Sequence, residues 1–323
     1  MPAGHTGYFH EALRYGSDDE LLTAVVPFLL GGVAAGEPTI VALGEEKTAL
    51  VRAAVGADIP VVYHSGGEVY ARPAAALRAY SDLFARHTAD GAHQIRVVGE
   101  LPPAALGATW DWWARYESAA NDVYARFPLW SLCAYDERTT PPEVLADVAR
   151  THPHVAGPGD THLPNEAYVE PHQFLRYDLP PAPDPVQHTA PAVELVNPVP
   201  SRARAVLADV GDGVLTAESL SDLRIAVTET VTNALTHGTA PIVVRYWAGP
   251  DRVVVTVTDG GKGPADPFAG LRAAAHAPSG GLGLWLTHQL CDHVSMSVDD
   301  EGFTVRMISG NPNHRAGGRG AAC

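Results

Sequence analysis

Cysteine is scarce in this 323-residue chain: Cys133, Cys291 and Cys323 share no close spacing. That pattern suggests neither a disulfide framework nor a thiolate zinc site, and a reducing cytoplasm is the expected setting. Basic residues are also few, 22 Lys and Arg against 37 Asp and Glu, for a formal net charge of -15. Binding to nucleic acid requires clustered Lys and Arg to neutralise phosphates; no such cluster occurs, so proteins are the expected partners. Long apolar runs are missing too. The most apolar stretch, residues 21–35, carries Thr23, Pro27 and two glycines and is shorter than the roughly 20 residues that span a bilayer. No membrane anchor is expected, and no secretory signal is apparent at the N-terminus.

The length is more than one hydrophobic core usually organises, which favours two domains. Residues 179–200 are proline-rich and aperiodic. Proline removes backbone donors and biases its neighbours toward extended conformations, so this stretch reads as a linker entering a strand. The expected organisation is a first domain over 1–178, a linker over 179–192, a second domain over 193–310 and a polar, glycine-rich, disordered tail over 311–323.

In the first domain, helical patterns at 18–35, 73–87, 110–126 and 142–150 alternate with strand patterns at 39–43, 59–63, 94–98 and 129–135. Such alternation predicts an α/β fold with a parallel sheet covered on both faces. The loop after the strand at 39–43 reads Gly44-Glu-Glu-Lys47-Thr48. It has a Lys-Thr pair without the upstream glycines of a P-loop, so a backbone cradle for phosphates is not expected there.

Five blocks in this half, His5-Thr-Gly-Tyr-Phe-His10, Val98-Gly-Glu-Leu-Pro102, the helix 112–126, Leu132-Cys-Ala-Tyr-Asp136 and Thr151-His-Pro153, resemble the MEDS sensory domain. The resemblance covers about residues 4–178. It implies a RecA-like doubly wound parallel sheet lacking a P-loop and a regulatory input role, without fixing a ligand. His152, His154, His162, His172 and His188 crowd one region. Their spacing contains no helical i,i+4 pair and no nearby cysteine, so separate structural tasks outweigh a zinc site. His5, His10 and Glu100 are candidates to line a sensor pocket.

Three blocks follow in order in the second domain: Glu229-Thr-Val-Thr-Asn233, Asp259-Gly-Gly-Lys-Gly263 and Gly280-Gly-Leu-Gly-Leu284. Each is weak alone; the ordered series points to ATP. Residues 220–237 carry an approximate helical stripe of apolar positions, and Glu229 and Asn233 lie off it, one turn apart on one face. Their oxygens are hard ligands suited to Mg2+, with Asn233 expected on the metal and Glu229 as the catalytic base. His237 is expected to pack or cap the helix end, with Gly238 as the stop. A hairpin is expected over 242–258, with Asp259 at its end as acceptor for an adenine amino group. Gly261 and Gly263 would let the backbone approach the base closely. Residues 264–279 read as a mobile lid. Gly280, Gly281, Leu282 and Gly283 open a helix whose free amides and dipole suit phosphate. Strands at 293–298 and 303–308 complete the sheet, and Thr304 is a candidate for the adenine edge.

Residues 193–310, with Glu229, Asn233, Asp259, Gly261, Gly263, Gly281 and Gly283 at the motif positions, resemble the GHKL ATPase superfamily and, within it, the anti-sigma regulatory factors that act as serine protein kinases. The resemblance implies an α/β sandwich with a mixed sheet, Mg-ATP, a homodimer through this domain, and two partners: a sigma factor and a STAS-type anti-sigma-factor antagonist phosphorylated on serine. Ser279 and Gly280 stand where a basic residue often precedes the last block, which puts turnover in question more than binding. Two other readings stay open. A sensor histidine kinase would need a phosphoacceptor histidine on a long helix where this chain has prolines; a non-catalytic ATP-gated binding module would need no transfer at all.

Overall fold

The computed structural model describes residues 6–64, 72–157, 161–177, 181–272 and 282–311. The chain divides into two compact units. The first comprises Met1–Ala71, Ala75–Leu106 and Trp113–Phe174, and the second Arg72–Ala74, Gly107–Trp112 and Leu175–Cys323.

The first unit is built on a seven-stranded sheet of β1 (Phe9–Tyr15), β2 (Thr39–Ala42), β3 (Val62–Tyr63), β4 (Ile95–Gly99), β5 (Leu129–Asp136), β6 (His154–Gly157) and β7 (Thr161–Pro164). Their order is β3-β2-β4-β5-β1-β6-β7. All pairs are parallel except β6 with β7. Strands β2, β4 and β5 are buried almost throughout, as a sheet covered on both faces requires. Helix α1 (Asp18–Ala34) starts where the Ser17 hydroxyl accepts from the Glu20 amide at 3.2 Å, with Asp18, Asp19 and Glu20 in its first turn. These acidic groups complement the positive helix end. Gly36 follows at φ +71, a conformation that suits glycine and stops the helix.

Helix α2 (Glu45–Val55) follows β2 directly. The Lys47 ammonium is bonded to Glu100, lies 3.6 Å from Asp136 and sits 5.2 Å from the Tyr15 ring centre. The cation that a P-loop would offer to phosphate is thus matched by two carboxylates.

The second unit carries β8 (Val193–Val196), β9 (Val243–Ala248), β10 (Arg252–Asp259), β11 (His293–Asp299) and β12 (Gly302–Gly310). Their order is β11-β12-β10-β9-β8. The expected mixed sheet is antiparallel at every pairing described. Short reversals cause this: β9 returns into β10 through a turn closed by the Gly249 amide on the Arg252 carbonyl, 2.8 Å, and only two residues separate β11 from β12. The alternate residues Val253, Val255 and Val257 join Leu223, Val227 and Val231 in one core. That buries the apolar stripe of the long helix on one face of the sheet.

The opposite face has its own cover. Val254, Trp247 and Ile308 pack with Val186, which lies in a short 3-10 turn, Pro185–His188. The proline-rich segment expected as a linker is therefore strapped across this sheet. Asp184, 2% exposed, accepts from the buried Arg252 guanidinium at 2.9, 3.1 and 3.3 Å. Trp247 donates to the Thr189 carbonyl at 3.0 Å. Removing one member of a buried pair exposes the other to the cost of its burial, and Arg252 would keep only the exposed Asp251, at 2.8 Å, as an ionic partner. Asp184→Ala is expected to destabilise the second unit by about 3–5 kcal/mol, and pairing it with Arg252→Met to recover much of that loss, as read by denaturant unfolding.

Candidate functional site

Helix α3 in the second unit's site, the long helix Ala217–His237, starts at a Thr216 cap whose hydroxyl accepts from the Ser219 amide at 3.1 Å. Glu229 and Asn233 are half-buried on its flank, beside the buried Thr230 and Val231. The helix Gly283–Leu290 packs across it, with the Thr230 and Thr287 hydroxyls 3.3 Å apart. Its first residue touches the two polar side chains directly. A Cβ on Gly283 would stand 2.8 Å from Asn233 Nδ2 and 3.0 Å from Glu229 Oε2. Only a glycine lets the backbone come so near.

Asp259 closes β10 and is 6% exposed. Its Oδ1 accepts from the amides of Gly261, 2.8 Å, and Thr239, 3.1 Å. Both bonds use one oxygen, so a ligand donor would meet Oδ2. Gly238 and Gly261 crowd this carboxylate, since a Cβ on either would lie within 2.5–2.6 Å of its atoms. Gly263, at φ +73, faces the Phe303 ring, which a Cβ would meet at 2.5 Å.

A cavity of about 390 Å³ lies between these elements, with Asn233, Asp259, Gly261, Gly263 and Phe303 among its lining. Four of the expected site residues therefore line one cavity. Glu229 is not part of the lining and joins the site through Gly283. Leu282 is 55% exposed and lies outside the lining. Gly280 and Gly281 lie outside the described residues, so their part in a phosphate site stays an expectation. Thr304 is corrected. Side chains alternate along a strand, and Phe303 and Val305 take the cavity side, so Thr304 points to the other face and bonds the Thr258 hydroxyl at 2.9 Å. His237, expected to pack or cap, is instead exposed and lines the cavity.

The segment expected as a lid is anchored in its described part, residues 264–272. Phe268 and Leu271 are buried, and the Tyr177 hydroxyl donates to the Asp266 and Pro267 carbonyls, each at 3.3 Å. Residues 273–279 lie outside the described residues. Two basic groups missed by sequence reasoning line the cavity: Lys262, one of only two lysines in the chain, and Arg272. Arg272 lies 3.6 Å from Asp266 and its guanidinium 4.6 Å from the Phe268 ring centre. Lys262 sits inside the Asp259–Gly263 block and was legible there; nothing in the local pattern marked Arg272.

Residues 9–153 match the family model described as MEDS, the methanogen/methylotroph DcmR sensory domain, and residues 193–309 match the histidine kinase-like ATPase domain. The chain thus joins a MEDS domain to a histidine kinase-like ATPase domain. Among curated relatives, the serine-protein kinase RsbW of Bacillus licheniformis is 34% identical over 104 residues, covering 28% of this chain and 64% of that protein. RsbW of Bacillus mycoides strain KBAB4 is 29% identical over 102 residues, covering 28% and 63%. The chain therefore spans just under two thirds of the length of these relatives. A crystal structure of the RsbU and RsbW domains of Rv1364c from Mycobacterium tuberculosis aligns with 21% identity over 38% of this chain and 32% of that one. Its TM-score of 0.28 carries no argument. Among the described residues, no helix is long and apolar enough to cross a membrane.

A methyl group at residue 263 would strain the backbone and strike the Phe303 ring at once. Gly263→Ala is expected to lower the stability of the second unit by about 1–3 kcal/mol, measured by thermal melting.

Proposed function

We propose that the chain is a signal-responsive anti-sigma regulatory protein whose second domain binds Mg-ATP and transfers phosphate to a serine of a STAS-type anti-sigma-factor antagonist. The observation that carries this reading is the seating of Gly283 on the Glu229–Asn233 pair, beside a cavity that Asn233 and the Asp259 carboxylate both line. The match of residues 193–309 to the histidine kinase-like ATPase domain and the likeness to RsbW kinases support it.

The residues suit the nucleotide. Asp259 Oδ2 would accept from the adenine amino group, an interaction that a guanine carbonyl could not make. Gly261 and Gly263 admit the flat base beside Phe303. Asn233, which lines the cavity, would hold magnesium through Oδ1, a hard oxygen donor. When bound, the ion supplies positive charge to bridge the phosphates. Glu229 would take the proton of the incoming serine hydroxyl. Lys262 and Arg272 offer the positive charge whose absence before Gly280 put turnover in question. In the resulting partner switch, a phosphorylated antagonist is released and the sigma factor stays bound by this protein. The first domain would supply the signal, in a soluble homodimer in the cytoplasm.

The test is transfer of radiolabel from γ-labelled ATP to a candidate antagonist. Wild-type protein is expected to label the antagonist's serine. Glu229→Ala is expected to lose about 10²–10⁴-fold in rate while still binding nucleotide, and Asp259→Asn to lose binding itself. Nucleotide binding without label on any cognate antagonist would replace the kinase with an ATP-gated binding module.

A further inference from the structure

Within the first unit, four side chains far apart in sequence converge under the helix Trp110–Val123. His10 stands on β1 and Cys133 on β5, adjacent parallel strands that turn these residues to the same face. Glu117 comes from the helix, and His152 follows the end of the helix Pro142–Thr151. One ligand atom from each lies within 4.8 Å of every other. Three of the four are almost wholly buried: His10 at 1%, Glu117 at 3% and His152 at 0% exposed.

Hydrogen bonding fixes both imidazole tautomers. The Asn121 amide nitrogen donates to the carbonyls of Glu117, Ser118 and Thr151 at 2.8–3.2 Å. Its oxygen is therefore the group facing His10 Nδ1 at 3.0 Å, and that nitrogen must carry the proton. His152 Nδ1 faces the Val148 carbonyl at 2.9 Å and the Thr151 hydroxyl at 3.1 Å; that hydroxyl donates to the Asp147 carbonyl at 3.0 Å and the Val148 carbonyl can only accept, so Nδ1 carries the proton likewise. In neutral rings both Nε2 atoms then present bare lone pairs. His152 Nε2 is buried without a hydrogen-bond partner. Each Nε2 lies 3.6 Å from Glu117 Oε2, and His10 Nε2 lies 3.3 Å from Cys133 Sγ.

Two lone pairs, a carboxylate oxygen and a sulfur thus face one centre. Burial makes such a grouping costly unless positive charge occupies that centre. A tetrahedral site with metal–ligand distances of about 2.0–2.3 Å has edges of about 3.3–3.8 Å; the two Nε2–Oε2 pairs and the Nε2–Sγ pair match that spacing at 3.6, 3.6 and 3.3 Å, and the remaining pairs lie within 4.8 Å. The donor set, sulfur with two imidazole nitrogens and one carboxylate, suits zinc better than magnesium or calcium. The protonated Nδ1 atoms, each anchored to an oxygen, are the outer partners that orient ligating histidines.

We propose that His10, Glu117, Cys133 and His152 form a binding site for a divalent d-block cation of the zinc class inside the sensory domain. It lies beside a cavity of about 40 Å³ that His10, Glu117 and Cys133 help to line. Glu117 is additionally held by the Tyr135 hydroxyl, which donates to its other oxygen at 3.1 Å. The site stands independently of the kinase reading, since no residue is shared with the nucleotide cavity.

The experiment uses the full-length chain, stripped with a chelator and titrated with Zn2+ against a chromophoric competitor, and in parallel with Co2+. One tightly held ion per chain is expected, with a thiolate-to-cobalt charge-transfer band and the intense d–d absorption of a tetrahedral site. Cys133→Ser should abolish the charge-transfer band, and Cys133→Ser and His152→Gln should each weaken zinc binding by at least about tenfold. His188→Gln, outside the cluster, should leave it unchanged. Circular dichroism reports whether the variants fold, and the wild-type cobalt spectrum stands without them. A wild-type cobalt complex lacking thiolate absorption, or equal zinc affinity in folded wild type and Cys133→Ser/His152→Gln, overturns the proposal and leaves the centre to a proton or a water.

Discussion

The contact that governs the second domain is the meeting of a helix start with a helix flank through a residue that has no side chain. With Gly283 seated on Glu229 and Asn233, the helix Gly283–Leu290 cannot rise away from the long helix, and Thr230 and Thr287 come within reach of each other. The same economy of side chains recurs at Asp259, which Gly238 and Gly261 flank more closely than any Cβ would permit. Backbone amides near 259 can then bond the carboxylate directly. A rigid hairpin end and a rigid helix start face each other, and the cavity is the space that these close approaches leave between them.

How much of this was legible depended on whether the deciding physics was local. The stripe along 220–237 and the alternation in Val253, Val255 and Val257 follow from the period of each element, and the observed core uses both. Asn233, Asp259, Gly261 and Gly263 line one cavity because the motif blocks lie near the ends of elements that pack together. Thr304 went the other way for a reason of parity. A strand residue one position out faces the opposite side, and register against β10 sets it beside Thr258. The segment 179–192 read as a tether because proline disrupts ladders, yet Asp184 is fixed by a guanidinium 68 residues away. No local pattern reports such a partner. The β6–β7 hairpin was missed for the same reason, its strands being short and rich in His, Thr and Pro.

The histidine-rich region is instructive in detail. Local spacing weighed against a metal site among His152, His154, His162, His172 and His188, and three of them indeed have other engagements in the structure or lie outside the cluster: His154 stacks on Phe9 with ring centres 4.0 Å apart, His162 bonds Glu11 at 2.7 Å, and His188 ends a 3-10 turn. His152 alone turns toward His10, Glu117 and Cys133. Parallel strands make this possible, because β1 and β5 lie side by side while their residues are more than a hundred positions apart. Sequence separation carries no information about such neighbours, whereas zinc-finger spacing does for a local site.

Charge offers a final link between composition and site. A chain with net charge -15 repels an anionic nucleotide at long range. At physiological ionic strength, however, exposed charges beyond about 8 Å are largely screened, so the few groups nearest the phosphates decide the local balance. One lysine, Lys47, is already matched by Glu100 and Asp136 in the first domain. The other, Lys262, lines the second domain's cavity with Arg272. The two domains therefore treat their lysines in opposite ways: the first neutralises the cation that a phosphate loop would have used, and the second keeps its cation at the mouth of the cavity.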